Sequence, residues 1–340
     1  MKHQSSIFTL SLLASSLSIH DATANEYTPA QAQAQQEIDN LHWSGLPVFG
    51  EQARALGYDL PIPVGFGIYM NTQEVEYIAE NDFGILAKGG TLGRLCGFGG
   101  SSSSSRIPSK PSKPQPGSGE CAMSIPAENV SITGKDESIQ LRLDAWIFPF
   151  MNVYGLAGYT RGSKNILADL SNVTINGRQT NGINATLPLN LEYEAYNLGL
   201  GTVLATQFTP INGMRPIIVT AVGAMTNSWT TTTDSTIKTY IGALRVGQRY
   251  DLPHGKLTLM GGYTYQMIQQ NVSGTIDLAG TELDNLADTI DFDVDLKSKE
   301  SNNMAVTAVY DFGDNNEWMI FAEYGFLNWN QLTFSVGRRF

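Results

Sequence analysis

A row of three carboxylates in the last third of the chain is the arrangement best suited to chemistry. Asp291, Asp293 and Asp295 occupy every second position with apolar residues between them, so an extended strand would place all three on one face. Such a row of oxygen ligands could bind a divalent cation. The stretch 277–300 holds eight acidic residues and two lysines, a local charge of −6. Two other interpretations are a solvated acidic loop, and cations that bridge these acids to lipid phosphates.

The N-terminus carries the signs of export. Lys2 precedes an apolar stretch at 7–17, and Ala22-Thr23-Ala24 follows as a small-x-small cleavage site. This order is that of a secretory signal peptide. We therefore predict a cleaved signal over 1–24 and passage through the Sec pathway.

Two cysteines flank a Ser/Pro/Gly-rich stretch. Cys96 and Cys121 are the only cysteines in the chain, and an oxidising compartment would join them. Such a bridge contributes on the order of 3 kcal/mol in the chain-entropy account. The alternative is a pair of unrelated reduced thiols.

Composition excludes several classes of protein. The 340 residues are only 16% charged but 10% aromatic and 42% hydrophobic, with 34 glycines and a mean hydropathy of −0.14. No window is apolar over the 18 or more residues that a membrane helix needs, and the hydrophobic content opposes disorder. The net charge of −11 opposes nucleic-acid binding. A soluble β-rich protein or a transmembrane β-barrel remains.

The residues that could do chemistry must be positioned by strands, because alternation at period two dominates from Pro61 onward. Each run has 9 to 16 residues, and a tilted membrane strand needs about 9 to 11. The ten predicted strands are 62–71, 139–147, 153–161, 189–204, 216–229, 237–250, 256–271, 304–312, 318–326 and 331–340.

The connections between these strands alternate in length. Most of the first, third and later odd connections are long, whereas those near 149–152, 206–215, 251–255 and 313–317 are shorter. Outer-membrane barrels have this asymmetry, with short turns toward the periplasm; a soluble β-sandwich is the alternative. We predict an all-β, antiparallel up-and-down transmembrane β-barrel of ten strands over 61–340, with eight or twelve strands as alternatives. A short N-terminal helical lead-in precedes it over 25–60, and a low-complexity surface loop lies at about 88–130.

The carboxyl-terminal strand resembles a known class. Leu332, Phe334, Val336 and the terminal Phe340 share one face, which is similar to the signature by which the assembly machinery recognises bacterial outer-membrane barrels. Arg338 departs from the pattern, and we expect it and Arg339 to reach into the membrane interface. The resemblance implies a Gram-negative outer membrane, with the barrel assembly machinery, outer-membrane lipid and lipopolysaccharide as partners.

Histidine placement opposes an enzyme. Barrels that resemble outer-membrane proteases, phospholipases or lipid A deacylases need a histidine at the outer rim or wall as a base. His3 and His20 leave with the signal, His42 lies in the lead-in and His254 lies in a predicted periplasmic turn. We predict no catalytic activity and no cofactor.

Charged residues on the polar face of the strands are expected to form a paired network in the lumen, and the same residues would line a pore. Ten strands lie nearer to a filled interior than to an open channel. We therefore expect a non-enzymatic outer-membrane barrel whose surface loops serve interaction or envelope structure. The alternatives are a narrow, weakly cation-preferring pore and, third, a hydrolase or a solitary autotransporter-like barrel. The predicted lumen residues are Arg142, Asp144, Arg245, Arg249, Asp311 and Glu323.

Overall fold

The computed structural model describes residues 45–55, 60–97, 120–180, 186–211, 214–231, 235–280, 284–285 and 287–340. The chain divides into two compact units, 1–45 and 46–340, and the second contains the elements described below. The predicted signal peptide and the first part of the lead-in lie outside the described residues.

Two α-helices, two one-turn 3₁₀ helices (Ala127–Asn129 and Leu170–Asn172) and fifteen strands occur in the described part of the chain; the α-helices and strands are numbered in chain order. The helices are α1 (Gly50–Ala55) and α2 (Gly90–Gly97). Within the residues that the structure describes, no helix is long and apolar enough to cross a membrane. The strands are β1 (Val64–Ala79), β2 (Phe83–Lys88), β3 (Glu120–Ile125), β4 (Val130–Phe148), β5 (Met151–Asp169), β6 (Thr174–Ile175), β7 (Arg178–Gln179), β8 (Thr186–Phe208), β9 (Ile217–Thr230), β10 (Thr236–Leu252), β11 (Gly255–Asp277), β12 (Thr289–Ser298), β13 (Asn302–Phe312), β14 (Trp318–Gly325) and β15 (Asn330–Arg339).

Ten of these strands close into an antiparallel ring. Its order is β1, β4, β5, β8, β9, β10, β11, β13, β14 and β15, and β15 pairs back to β1. The ten-stranded barrel predicted from alternation is therefore confirmed. Tight connections at 149–150, 253–254 and 313–317 lie at one end, here called the turn end, and the long connections lie at the other, the loop end.

Part-way along each long strand, the apolar side chains change from the outward face to the inward face. On β1 the outward side chains change from exposed Met70 to Glu74, and the inward side chains change from Asn71 to buried Val75. β4, β8 and β11 show the same exchange. Near the turn end the outward side chains form a belt of exposed apolar residues, the surface that a membrane barrel turns to lipid. The belt includes Phe66, Ile68, Met70, Leu141, Leu143, Leu198, Leu200, Leu259, Val306 and Phe334.

Beyond this belt, the ring is rebuilt by a strand from a predicted loop. β11 pairs with β13 over 255–265 but with β12 over 269–277, and β1 pairs with β12 at 77–79. β12 then pairs with β2, and β2 with β3. The prediction that 71–138 and 272–301 are loops is therefore wrong for much of their length, because the strands continue after their apolar face has changed sides.

The low-complexity segment expected at 88–130 is also partly ordered. Its described flanks form α2 and β3, and the Ser/Pro/Gly-rich residues 98–119 lie outside the described ranges. The predicted disulfide is present: Cys96 of α2 bonds to Cys121 of β3 with an S–S distance of 2.04 Å. Cys121 is fully buried in the apolar core and Cys96 packs against that core, so the bridge holds the two flanks of the segment together there.

Together, β2, β3 and β12 with α2 form the cap, a layer that packs at the loop end. Its inward side chains join the inward side chains of the extended ring strands in one apolar core. Phe83 is fully buried and its ring lies 6.4 Å from that of Phe292. The apolar core of the protein therefore lies at the loop end. Other members are Ile85, Ile125, Ile132, Ile166, Leu189, Ile268, Val294 and Leu296.

Candidate functional site in the barrel lumen

A cavity of about 900 Å³ occupies the turn-end part of the lumen. It begins among the turns at Pro149 and Asn315, beside α1, and reaches up to Tyr77 and Tyr193 beneath the apolar core. Its volume is within the range of pockets that hold small molecules. The lumen is thus an open chamber at one end and packed at the other.

Asp144 is the centre of a charge cluster near the turn end. It accepts hydrogen bonds from Arg339 Nη2 at 2.6 Å and Asn152 Nδ2 at 2.5 Å. Arg142 lies 3.8 Å from the carboxylate and stacks on the Tyr154 ring at 4.1 Å. Two guanidinium groups therefore share one buried carboxylate.

Arg245 and Glu323 form a second, neutral pair. The guanidinium donates to both carboxylate oxygens, at 3.0 and 2.8 Å. It also donates to the hydroxyls of Thr264 and Thr307 and to the carbonyl of Tyr263. The Arg245 guanidinium is surrounded by acceptors, and this bidentate pair links β10, β11, β13 and β14 at the cavity wall.

Arg249 is placed differently. Its Nε donates to Thr258 Oγ1 at 3.3 Å, and no carboxylate of the described residues lies within ion-pairing distance of it. Lys256 and Asp311, both on the cavity lining, lie on the next two strands of the ring. All six predicted lumen charges thus face inward, and the structure brings them into three groups rather than one network.

The prediction for Arg339 is wrong. We expected both terminal arginines to reach the membrane interface, but alternation along β15 turns Arg339 inward, where it pairs with Asp144. Arg338 points outward and packs over Trp318 and Phe340. The predicted assembly signature shares that outward face, with Leu332, Phe334, Val336 and Phe340 all exposed. Its recognition by the assembly machinery stays a prediction.

A layer of four residues lies between the cavity and the apolar core, and it was not predicted from the sequence. This boundary layer consists of Tyr77, Asp136, Lys164 and Tyr193. Lys164 is only 1% exposed, and its Nζ lies 3.7 Å from the centroid of the Tyr77 ring and 5.4 Å from that of Tyr193. Lys164 Nζ makes no hydrogen bond within the described residues, so the cation–π contacts and the nearby Asp136 carboxylate offset only part of the cost of burying its charge.

Hydrogen bonds fix Asp136 within this layer. Tyr193 Oη donates to one carboxylate oxygen, and Gln73 Nε2 donates to the other at 3.3 Å. A side chain at Gly162 would collide with both Tyr193 and Asp136, so glycine is required there by close approach. Lys164 and Asp136 lie on strand segments that were predicted as loop, which is why sequence reasoning missed them.

The acidic row lies outside the lumen, on the outer face of the cap. Its three carboxylates share one face of β12, as predicted. Lys88 Nζ lies 2.5 Å from Asp291, and Thr275 also donates to it. Asn271 donates to Asp293 and Asp295. Within the described ranges no three His, Cys, Asp or Glu side chains converge as a metal site would require, so cation binding stays a prediction.

The contacts of Asp291 have an electrostatic consequence. Its hydrogen bonds from Lys88 and Thr275 hold the pKa of the Asp291 carboxyl below its ordinary value, and the same pair raises the pKa of Lys88. His254 lies in the turn between β10 and β11, as expected. His42 lies outside the described residues.

No protein-family model matches the chain, and no curated protein matches it. Among solved structures, the translocator domain of the autotransporter NalP from Neisseria meningitidis is similar at 13% identity and a TM-score of 0.33, covering 92% of this chain and 97% of that one. The transport unit of the autotransporter AIDA-I from Escherichia coli has 7% identity, a TM-score of 0.30, and coverage of 93% and 99%. The Ralstonia pickettii toluene transporter TbuX has 8% identity, a TM-score of 0.31, and coverage of 83% and 90%. At these TM-scores none of the three similarities carries a functional argument.

Proposed function

We propose that the chain is an integral outer-membrane barrel that is closed to solutes at its loop end and presents the folded cap at the cell surface for interaction or envelope structure. The apolar core between the cap and the extended ring strands is the observation that carries this proposal. The exposed apolar belt supports the membrane location. The short turns support an orientation with the cap outside.

The outer surface of the cap is charged and locally paired. Lys297 lies 3.0 Å from Glu80, and Lys299 lies 2.6 Å from Glu76. Exposed ion pairs of this kind contribute little to stability and are typical of a surface in contact with water. A partner would meet a face of alternating charge. Lipopolysaccharide, with or without divalent cations, is the partner class that the location supplies.

The pore alternative has less support. A continuous path would require the apolar core to move aside. Absence of catalysis also remains part of the proposal. It is supported by the position of His254 in a turn, since no histidine lines the cavity within the described ranges.

Conductance of the purified full chain in planar bilayers tests closure. Wild-type protein should give no channel events at any voltage. The double variant Phe83→Asp with Phe292→Asp should give events if the core closes the lumen, and a variant with outward Asp293→Asn should stay silent. Heat-modifiable migration checks that each variant is folded. Regular conductance steps from wild-type protein would contradict the proposal.

Orientation is tested with a matched pair of cysteines, because the native cysteines are bonded to each other. Asp293 on the cap and Asp314 in a turn are both exposed. In whole cells, a membrane-impermeant maleimide should label Asp293→Cys and should reach Asp314→Cys only after the outer membrane is permeabilised. The reverse order would show that the barrel is inverted.

A further inference from the structure

Neutral polar side chains form one wall of the chamber, here called the amide wall. It crosses β15, β1, β4, β5 and β8, and strand register places its members side by side. Thr333 is opposite Asn71 across β15 and β1, and Ser138 lies between Asn71 on β1 and Thr160 on β5. None of these side chains carries a charge, so the wall offers hydrogen bonds without ions. Its members, all on the cavity lining, are Asn71, Ser138, Gln140, Thr160, Asn197 and Thr333.

Two amides of this wall lie on either side of Gly158. Gln140 on β4 is opposite Gly158, and Asn197 on β8 is opposite it on the other side. A Cβ at Gly158 would lie 2.6 Å from Gln140 Cγ, so the glutamine side chain leans across the glycine toward β8. The missing side chain at Gly158 therefore places the two amides on one patch of the wall.

Both amides of this patch have an unused acceptor. Gln140 Oε1 and Asn197 Oδ1 are buried and accept no hydrogen bond from the described residues. Asn197 is only 6% exposed, and its Nδ2 already donates to Thr160 Oγ1 at 2.6 Å. Buried acceptors in folded proteins usually have a donor, because an unmet one is costly. The terminal torsion of an amide side chain is broad, so a small rotation turns either oxygen toward a ligand donor in the chamber.

The charged groups around the amide wall already have partners within the chain. Glu323, which is paired with the β15 end of the wall, accepts both hydrogen bonds of the Arg245 guanidinium. On the loop-end side, Asp136 accepts two hydrogen bonds. On the turn-end side, Arg142 lies 3.8 Å from the Asp144 carboxylate. Since the wall itself is uncharged, it favours a neutral ligand over an ion.

Apolar surface beside the amide wall suits the faces of a ring. Tyr69 lines the cavity and is opposite Gln140. On the other side, Asn197 is opposite Ser228, and Ser228 is opposite Ile237, so hydroxyl and aliphatic groups alternate. A lining that is half polar and half apolar matches a molecule with hydroxyls around its edge and C–H groups on its faces.

We propose that the amide wall binds a neutral sugar of one or two rings, which enters from the turn end. Ligand hydroxyls donate to Gln140 Oε1 and Asn197 Oδ1, and the Tyr69 ring packs against the face of the sugar. The chamber volume of about 900 Å³ accommodates a ligand of that size. The site depends on the chamber alone and not on closure of the loop end, so its test is independent of the conductance test.

Equilibrium dialysis of the full chain in amphipol tests the site. Glucose and sucrose are neutral probes, glucosamine adds a positive charge, glucuronate adds a negative charge, and cyclohexanol keeps a ring with a single hydroxyl. We expect one neutral sugar to bind per chain, with the other three probes at least about tenfold weaker. Tighter binding of glucose would assign a one-ring ligand and tighter binding of sucrose a two-ring ligand; both support the site. Equal binding of charged and neutral sugars, or no saturable binding of either neutral sugar, would overturn the proposal.

Variants separate the amide wall from unspecific binding elsewhere on the barrel. Asn197→Leu keeps the size of the side chain but removes the acceptor, and it should weaken binding of the neutral sugars by about tenfold. Gln140→Leu changes the less buried amide and should have a similar effect. The matched control Asn227→Leu removes an amide from the outward face of β9 and should bind like wild type. Heat-modifiable migration checks folding, and unchanged sugar binding by either folded wall variant would contradict the site.

Discussion

The turn-end and loop-end halves of the barrel are built on the same strands with opposite faces exposed. Near the turns, the outward residues of β4 are Leu141 and Leu143 and its inward residues are Arg142 and Asp144; near the loops, Lys135 points outward and Ile132 points inward. The first arrangement suits lipid outside and water inside, and the second suits water outside. One strand can therefore face lipid at one end and, at the other end, contribute to an apolar core whose outer surface faces water.

The comparison explains which parts of the fold the sequence could predict. Alternation located all ten ring strands, because each keeps one apolar face within the belt. It could not locate their extensions, since a search for a continuous apolar face stops where that face changes from outward to inward. Ser138 and Val75 mark such points. The boundary layer lies at this change and was missed for the same reason.

The candidate site was predicted unevenly. The inward direction of Arg142, Asp144 and Glu323 followed from alternation alone. Their partners did not, because pairing across the ring depends on register between strands distant in the chain. Arg339, which pairs with Asp144 195 residues away, illustrates this limit.

Truncation of the loop-end core should have the largest effect. Phe83→Ala should destabilise the cap by about 3–5 kcal/mol, because it leaves a cavity in a fully buried position. The matched control Phe66→Ala removes the same ring from the exposed lipid-facing belt. Both variants are titrated with denaturant in detergent, and protease digestion reports unfolding of the cap. The unfolding midpoint should fall strongly in Phe83→Ala and only slightly in Phe66→Ala. Equal shifts would show that the halves do not differ.

Disrupting the boundary layer should cause the next-largest loss of stability. Asp136→Asn leaves Lys164 buried without a compensating carboxylate and should cost about 3 kcal/mol. The double variant with Lys164→Met should regain most of that stability, because neither charge is then buried. A double-mutant cycle of thermal stability measures the coupling. Additive losses would mean that the two side chains do not interact.

Loss of the disulfide should act on the cap alone. The double variant Cys96→Ala with Cys121→Ala should lower the free energy of unfolding of the cap by at most on the order of 3 kcal/mol, the chain-entropy estimate for this bridge. The loss should be limited to the loop end. Protease should cut near α2 and β3 earlier than in the wild type, while the membrane-embedded fragment stays intact. Simultaneous loss of both parts would contradict independent halves.

Acid should produce the smallest effect. Because the folded-state pKa of Asp291 is lowered, its contribution is fully present above the ordinary aspartate value of about 3.9 and is lost as pH falls through the lower folded value. The pair is partly exposed, so the change should stay below about 1 kcal/mol. Cap stability measured from pH 6 to pH 2 should fall less in Asp291→Asn than in the control Asp293→Asn, which keeps the Lys88 contact. Identical stability profiles of the two variants would show that Asp291 does not contribute to the pH dependence of the cap.

Water accessibility along one strand tests the division of the lumen most directly. Ser138 lines the cavity and Ile132 lies in the apolar core, six residues apart on the inward face of β4. With the native cysteines bonded to each other, each position can be replaced by a single cysteine and exposed to a small water-soluble methanethiosulfonate. The structure predicts that Ser138→Cys reacts and that Ile132→Cys does not until the protein is unfolded. Rapid reaction at both positions would contradict a barrel closed at its loop end.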